Sequence, residues 1–287
     1  MVFKNRKIIL LVVISLLFCQ VSYGRDMYFG AMSDKPDKFK TIIDTYRANP
    51  AASETIKGKI KGGILPHHLL ASWMMADFFE VLSSNTHPKR VIIIGPDHFV
   101  KGLSTVSIGL LPYKTPTGIL DCDKNAAQQI RKTLLIPDDT EAFSGEHSIG
   151  NIVPFVKYYF PDSKIITIIL QKDVPPIMQK QLIQELSRLL NQPDTIILLS
   201  IDFSHNHTPQ EADKLDIITR KVILDYDYKN IEKADVDSHS GLEILMRTME
   251  AIHAEDIRIR FHSNAAQLTG DYSRNDVTSY HTIFFTK

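Results

Sequence analysis

Two short apolar runs of this sequence each end in a histidine. Residues 63–65 are followed by a proline and His67, and residues 91–94 are followed by Gly-Pro-Asp and His98. Neutral imidazole is the commonest protein ligand for transition metals, and it also transfers protons near neutral pH. A single histidine at a strand end more often bonds to loop backbone, but the repeated pattern favours a shared metal site.

The elements around these histidines predict where they lie. Four consecutive β-branched residues at 91–94 are typical of a strand buried on both faces of a parallel sheet. Residues 69–82 have a helical pattern and connect this strand to the one at 63–65. If the two strands neighbour each other in one parallel sheet, His67 and His98 meet at its carboxyl edge, where open α/β sheets bind ligands.

The rest of the chain alternates between helix and strand signals. This alternation predicts an α/β fold, a layered sandwich with a largely parallel central sheet, in one domain over residues 61–287. A polar extension at 25–60 precedes it and contains an amphipathic helix with Phe39, Ile42, Ile43 and Tyr46. Beyond a structured turn at 113–118, we expect strands at 105–108, 165–170, 195–201, 257–261 and 279–285, and helices at 123–135, 151–159, 175–190, 209–225 and 241–252.

Polar residues also follow other predicted elements. Asp202 and His205 come after the strand at 195–201, where they suit a general acid/base with its orienting carboxylate. A helix-capping aspartate and a surface histidine are the alternative interpretation. Glu146-His147-Ser148 precedes the helix at 151–159 and, taken alone, more often caps a helix. The sequence lacks phosphate-loop glycines, a nucleophile elbow and Cys-X-X-Cys pairs, which argues against the commonest nucleotide-binding, serine-hydrolase and thiol-redox functions.

Composition argues against a nucleic-acid-binding role. The 287 residues are 44% hydrophobic and 23% charged, with 33 Lys and Arg against 33 Asp and Glu. The sequence has no basic stripe and no aromatic RNA-binding signature. Length and composition therefore predict one large globular domain with a full core.

The first 24 residues have the pattern of a cleaved export signal. Three basic residues precede an apolar run at 8–18, and small residues at 22 and 24 suit a signal peptidase. The run is too short for a comfortable membrane span, so we expect a periplasmic or extracellular mature chain that starts at Arg25. A lipoprotein modified at Cys19 is less expected, because the bulky Phe18 precedes it. Only Cys122 then remains, which excludes an intramolecular disulfide.

Six short motifs occur in one order along the chain. They are Pro66-His67, Gly95-Pro96-Asp97-His98, Thr115-Pro116-Thr117-Gly118, Glu146-His147-Ser148-Ile149, Asp202-Phe203-Ser204-His205, and Gly270-Asp271 with Val277-Thr278-Ser279-Tyr280. The Memo family has these motifs in the same order, and the chain resembles that family over residues 61–287. Bacterial members are called AmmeMemoRadiSam system protein B. The family resembles class III extradiol dioxygenases in fold, whose members hold non-haem iron.

The resemblance implies roles for particular residues. His67 and His98 match the family's two metal-binding histidines, and Asp202 and His205 match polar residues that line its pocket. It also implies a functional link to a radical-SAM protein. The sequence departs from the family twice: His67-His68-Leu69 replaces the usual His-Ala-Gly, and Val236-Asp237-Ser238-His239 stands where a Cys-Gly pair commonly supplies the third ligand. Either Asp237 is the third metal ligand, or the site is altered or lost.

These observations favour an exported protein with a mononuclear non-haem metal site. Two histidines and one carboxylate on one face of iron(II) leave positions open for dioxygen and a small organic substrate, so dioxygenase-type oxidation is one expectation. A non-catalytic protein that binds metal or a partner is the alternative, and a zinc-dependent hydrolase is a further one. Iron(II) is the expected divalent ion, with zinc, manganese or copper as alternatives. The sequence does not identify the substrate.

The export signal predicts the mass of the mature protein. Protein isolated from its native host should lack the first 24 residues and start at Arg25, because the pattern that a signal peptidase recognises ends at Gly24. Intact-mass spectrometry measures this directly. A soluble cytoplasmic protein that keeps Met1 would contradict export.

Overall fold

A computed structural model of the chain describes residues 29–32 and 35–287. The expected export signal and Cys19 lie outside the described residues. Ten strands are described: β1 (Phe29–Gly30), β2 (Ile60–Leu65), β3 (Arg90–Pro96), β4 (Val106–Ile108), β5 (Tyr113–Thr115), β6 (Gly118–Leu120), β7 (Lys164–Leu170), β8 (Thr195–Ser200), β9 (Asp256–Asn264) and β10 (Ser279–Thr286).

Helices connect most of these strands. The described residues form α1 (Pro36–Ala48), α2 (Ser72–Asn85), α3 (Lys124–Leu134), α4 (His147–Gly150), α5 (Val153–Tyr159), α6 (Pro176–Leu190), α7 (Pro209–Leu224), α8 (His239–Ala251) and α9 (Ala265–Thr269). Short 3₁₀ turns lie at Leu69–Ala71, Glu141–Phe143 and Tyr228–Lys233. The predicted helices and strands are therefore present, with ends that differ by a few residues.

The main sheet has seven strands in the order β4-β7-β3-β8-β2-β10-β9. Its four central strands, β7, β3, β8 and β2, are parallel, whereas β4, β10 and β9 pair antiparallel at the two edges. The sheet is thus parallel in its centre and mixed overall. The turn predicted at 113–118 is a hairpin of β5 and β6, which forms a small second sheet with β1.

Apolar side chains cover both faces of the central strands. In β3, Ile92 and Ile94 pack in the core beneath α3, α6 and α8, while Val91 and Ile93 pack on the opposite face against α1, α2 and α5. Successive strand residues point to opposite faces, so a strand buried on both sides needs an uninterrupted apolar run. The sequence pattern at 91–94 follows from this position at the centre of the sheet.

The segment before β2 is held to the main sheet by one buried arginine. Arg260 of β9 pairs with Asp77 of α2, with Nε 3.0 Å from Oδ2, and it also binds Glu54 and the carbonyl of Ala52. Tyr46 of α1 donates from its hydroxyl to the same aspartate at 3.3 Å. The Asp77 side chain is 1% exposed, so these contacts compensate a charge that water cannot reach.

None of the helices in residues 29–32 and 35–287 has both the length and the apolar character needed to cross a membrane.

Arg260→Met should destabilise the fold because it leaves the Asp77 carboxylate buried without its cation. Breaking a buried ion pair on one side typically costs about 3–5 kcal/mol, and we expect about 3 kcal/mol here in the free energy of unfolding. Chemical denaturation measures the loss. Arg274→Met is the control, since its pair with Asp276 is exposed and should contribute about 0.5 kcal/mol or less. Equal losses in the two variants would contradict the assigned role of Arg260.

Candidate metal centre

Three parallel strands end at the candidate site. His67 lies two residues past the end of β2, His98 lies two residues past the end of β3, and Ser200 is the last residue of β8. Gly95 in β3 allows α4 to approach the same edge, because a Cβ at this position would lie 2.6 Å from the Ser148 hydroxyl. The ends of the strands thus fix the positions of the polar groups.

Three histidine rings meet above this edge. The ring centroids of His67 and His98 are 4.9 Å apart, and that of His147 lies 5.2 Å from the first and 4.2 Å from the second. One ring nitrogen of each residue lies within 4.8 Å of the other two, so the group could hold a metal ion. The His67 side chain is 2% exposed and that of His147 is 42% exposed, so the group opens to solvent on the His147 side.

The hydrogen bonds of His67 leave one ring nitrogen free. The Ser200 hydroxyl donates to the carbonyl of Ser148 at 2.5 Å, so its oxygen accepts from Nδ1 of His67, which is 3.3 Å away. Nε2 of His67 therefore carries a lone pair. It faces two carboxylate oxygens, Oδ2 of Asp237 at 3.5 Å and Oδ2 of Asp202 at 3.6 Å. Three electron-rich atoms at these distances favour a cation between them.

Glu146 orients His98 in the same way. Its Oε1 lies 2.8 Å from Nδ1 of His98, and its Oε2 accepts from the backbone N–H of His98 at 2.9 Å. Metal-binding histidines commonly donate their second nitrogen to a carboxylate, which fixes the tautomer. Nε2 of His98 is the nitrogen that faces Asp237, at 3.8 Å from Oδ2.

The protonation states of these groups differ widely. Burial is the main cause that lowers the pKa of His67, to about 4. Burial also opposes charge on His98, but the carboxylates of Asp237 and Glu146 outweigh it and raise the pKa of His98 to about 9. The Glu146 carboxyl is buried too, yet its hydrogen bond from His98 holds its pKa down, at about 2. Without a metal ion, His98 is therefore the cation of the site at neutral pH.

Asp237 lies beside both strand-end histidines, with Oδ2 3.5 Å from Nε2 of His67 and 3.8 Å from Nε2 of His98. It immediately precedes Ser238, the N-cap of α8, so the start of that helix fixes its position. Oδ2 accepts from the backbone N–H of Asp202 at 3.1 Å, whereas Oδ1 is buried and accepts no hydrogen bond from the described residues. A buried carboxylate oxygen without a donor is costly unless a cation binds it. Oδ2, which faces both histidines, and the imidazole nitrogens are atoms that could hold a divalent transition metal.

The structure separates Asp202 from His205. The carboxylate of Asp202 is buried and accepts from the backbone N–H of His67 at 3.1 Å, and burial raises its pKa. In the described part of the chain no hydrogen bond joins it to His205, which is partly exposed in the loop after β8. Asp202 therefore belongs to the surroundings of His67 and acts on His205 only through its charge.

Two features of the site were not predicted. The strands that carry His67 and His98 are not neighbours, because β8 lies between β2 and β3. Their rings still meet, with centroids 4.9 Å apart, and Ser200 at the end of β8 contacts Nδ1 of His67. His147 and Glu146 were predicted only as a polar group that more often caps a helix. Glu146 does cap α4, accepting from the N–H of Ser148, while it also binds His98. The sequence pattern that could have identified these two residues is the adjacent Glu146 and His147 at the start of α4.

Several known proteins are similar to this chain. The chain is 30% identical to a MEMO1 family protein of Thermoplasma volcanium, over 77% of this chain and 84% of that one. It is 29% identical to one from Pyrobaculum aerophilum, over 57% of this chain and only 58% of that relative's length. An uncharacterised Escherichia coli K12 protein of known structure is 10% identical and has a TM-score of 0.47, over 78% of this chain and 99% of that one.

The model of the Memo-like protein family matches residues 30–284. This range includes the three histidines, both aspartates and Glu146, and it begins ahead of the segment in which the motifs were found. The chain belongs to the Memo-like protein family.

Proposed function

We propose that this protein binds one divalent transition metal ion through His67, His98 and Asp237. The observation that carries the proposal is the pair of Asp237 oxygens: one faces both histidines and the other is buried without a donor. Ser200 and Glu146 hold the two rings in the tautomers that present Nε2. His147 supplies a further imidazole at the open side of the group.

The chemistry that we propose for the site is a dioxygenase-type oxidation of a small organic substrate. An iron(II) ion held by two imidazoles and a carboxylate would supply the open positions at which dioxygen and substrate meet. The chain's own part is to orient the ligands, to keep water from His67, and to move a proton. His205 is the residue that we assign to proton transfer, in the field of the buried Asp202 carboxylate. The extradiol-dioxygenase-like fold and the link to a radical-SAM protein also belong to this proposal.

Oxygen uptake separates this function from the alternatives. Protein loaded with iron(II) without air should consume oxygen when a catechol from a panel is added, whereas a protein that only holds the metal should not. Release of products from ester or amide substrates by the zinc-loaded protein would favour the hydrolase instead. We also propose that the protein acts in the periplasm or outside the cell, which rests on the pattern of the first 24 residues.

His67→Ala and His98→Ala should each empty the metal site. Ligands at strand ends are rigidly placed, so the loss of one removes binding while the fold remains. Metal analysis after equilibrium dialysis measures occupancy, and circular dichroism checks the fold. His87→Ala is the control, because His87 is exposed in the loop between α2 and β3. Full occupancy in either strand-end variant would mean that the replaced residue is not a ligand.

Asp237→Asn should weaken metal binding by at least the roughly 10–100-fold that is typical of changes next to a ligand. The amide keeps the shape of the side chain but removes the negative charge. Asp235→Asn is a matched control, since Asp235 lies two residues away and pairs with His207 at 3.0 Å instead. Asp237→Cys should restore binding and shift preference toward softer metals. Unchanged affinity in Asp237→Asn would leave the site with histidine ligands alone.

Metal binding should release about one proton at pH 8. With a pKa of about 9, His98 is protonated at this pH, and it must lose the proton on Nε2 before that nitrogen can bind an ion. Affinity should fall about tenfold for each pH unit below 9 and become independent of pH above it. Calorimetry in two buffers of different ionisation enthalpy measures the proton. Glu146→Gln should reduce the release, because it removes a carboxylate that raises this pKa. Binding without proton release would contradict the assignment of His98 as a ligand.

A further inference from the structure

A second group of metal-ligating side chains lies where α7 packs on β9 and β10. It consists of Asp216, His262 and His281, and one ligand atom of each lies within 4.8 Å of the other two. The group shares no residue with the site formed by His67, His98 and Asp237. Its composition of two imidazoles and a carboxylate is the same.

The sheet brings the two histidines together. His262 and His281 are direct partners in the antiparallel pair of β9 and β10, so their side chains project from the same face. Their rings stack with centroids 4.5 Å apart and planes 30° from parallel. The Phe203 ring covers His281 from another side at 4.1 Å. The two imidazoles are therefore held in place by the register of the strands and by packing.

Asp216 is oriented by hydroxyl groups. It is fully buried, and its Oδ1 accepts from the hydroxyls of Ser204 at 2.9 Å and Ser279 at 2.7 Å. Its Oδ2 lies 2.7 Å from Nε2 of His262. Ligand carboxylates in metal sites are commonly held by such hydrogen bonds from surrounding groups. Oδ1 is thus occupied, and Oδ2 is the oxygen that faces the histidines.

Arg220 determines which nitrogen of His281 has a lone pair. Its Nη1 lies 3.2 Å from Nε2 of His281, and because a guanidinium can only donate, Nε2 accepts and the proton is on Nδ1. His281 is fully buried, and its Nδ1 has no partner among the described residues. The ring is thus held in the tautomer in which Nε2 can bind a metal, with a guanidinium cation now in contact with that nitrogen.

We propose that Asp216, His262 and His281 form a second site for a divalent transition metal ion, which joins α7 to β9 and β10. Two imidazoles and a carboxylate suit zinc or iron(II) rather than calcium or magnesium. The His262 side chain is 24% exposed, which gives an ion and its remaining water ligands access to the group. Arg220 is the competing cation: it occupies Nε2 of His281 when the ion is absent and must move away when the ion binds.

Zinc is the probe for this site, in the full chain with His67→Ala and His98→Ala to disable the first site. Equilibrium dialysis followed by metal analysis should find one zinc per chain in this background. His262→Ala should then lower the affinity by roughly 10–100-fold or more. This variant is preferred to Asp216→Asn because the His262 ring is partly exposed, so water can enter its place and hydrate Oδ2 of Asp216, which loses its partner at 2.7 Å. Circular dichroism checks the fold. His253→Ala is the matched control, with a side chain that is 82% exposed and far from Asp216 in the sequence.

Arg220→Met provides a test in the opposite direction. It removes the competing cation and frees Nε2 of His281, so zinc should bind more tightly than in the background. A purely structural role of the cluster predicts no zinc in any of these proteins. Absence of zinc from the background, or equal affinity with and without His262, would overturn the proposal. Weaker binding in Arg220→Met would overturn the role assigned to Arg220.

Discussion

The hydrogen bonds of two Nδ1 atoms determine what the first histidine group can do. Ser200 accepts from His67 and Glu146 accepts from His98, so both rings present Nε2 to the same small space. Each acceptor depends in turn on the fold: Ser200 ends a central parallel strand, and Glu146 caps the short helix that Gly95 allows to approach. The parallel centre of the sheet is therefore the requirement for the site, because only there do three strand ends meet.

The balance of charge in the site without metal explains how the site can fold without an ion and how it could bind the ion that we propose. Asp237, Glu146 and the protonated His98 neutralise one another in part, so neither of these two carboxylates is buried without a positive charge nearby. A divalent ion would replace the proton on His98 with two positive charges. These charges would also stabilise Oδ1 of Asp237, which accepts no hydrogen bond from the described residues. Burying the Asp237 oxygen without a donor is thus costly in the absence of an ion, and the same oxygen would contribute to the affinity for one.

Much of the fold could be predicted from the sequence, because its strongest patterns are compatible with few positions in a folded chain. An uninterrupted β-branched run at 91–94 has to lie in the centre of a sheet, and a proline directly after a strand has to end it. The order of the strands did not follow. Nothing local in β8 indicates that it inserts between β2 and β3, since this depends on how whole layers pack. His147 was not assigned to the metal site for a similar reason, because its ring reaches His98 only through the packing of α4 on β3.

The resemblance to the Memo family implies a cysteine where this chain has Asp237, and in the proposed metal site that difference has a physical meaning. A thiolate is a soft ligand that offers one atom, whereas a carboxylate is hard, offers two oxygens and needs hydrogen bonds to be oriented. One oxygen of Asp237 receives such a bond from the backbone of Asp202, the residue that also accepts from His67. The Asp237 carboxylate is thus oriented by the same loop that surrounds the first histidine. With Asp237 as a ligand, the proposed site would favour harder ions such as iron(II) or manganese(II) over copper(I), so the side chain at position 237 would decide which redox chemistry the proposed site can support.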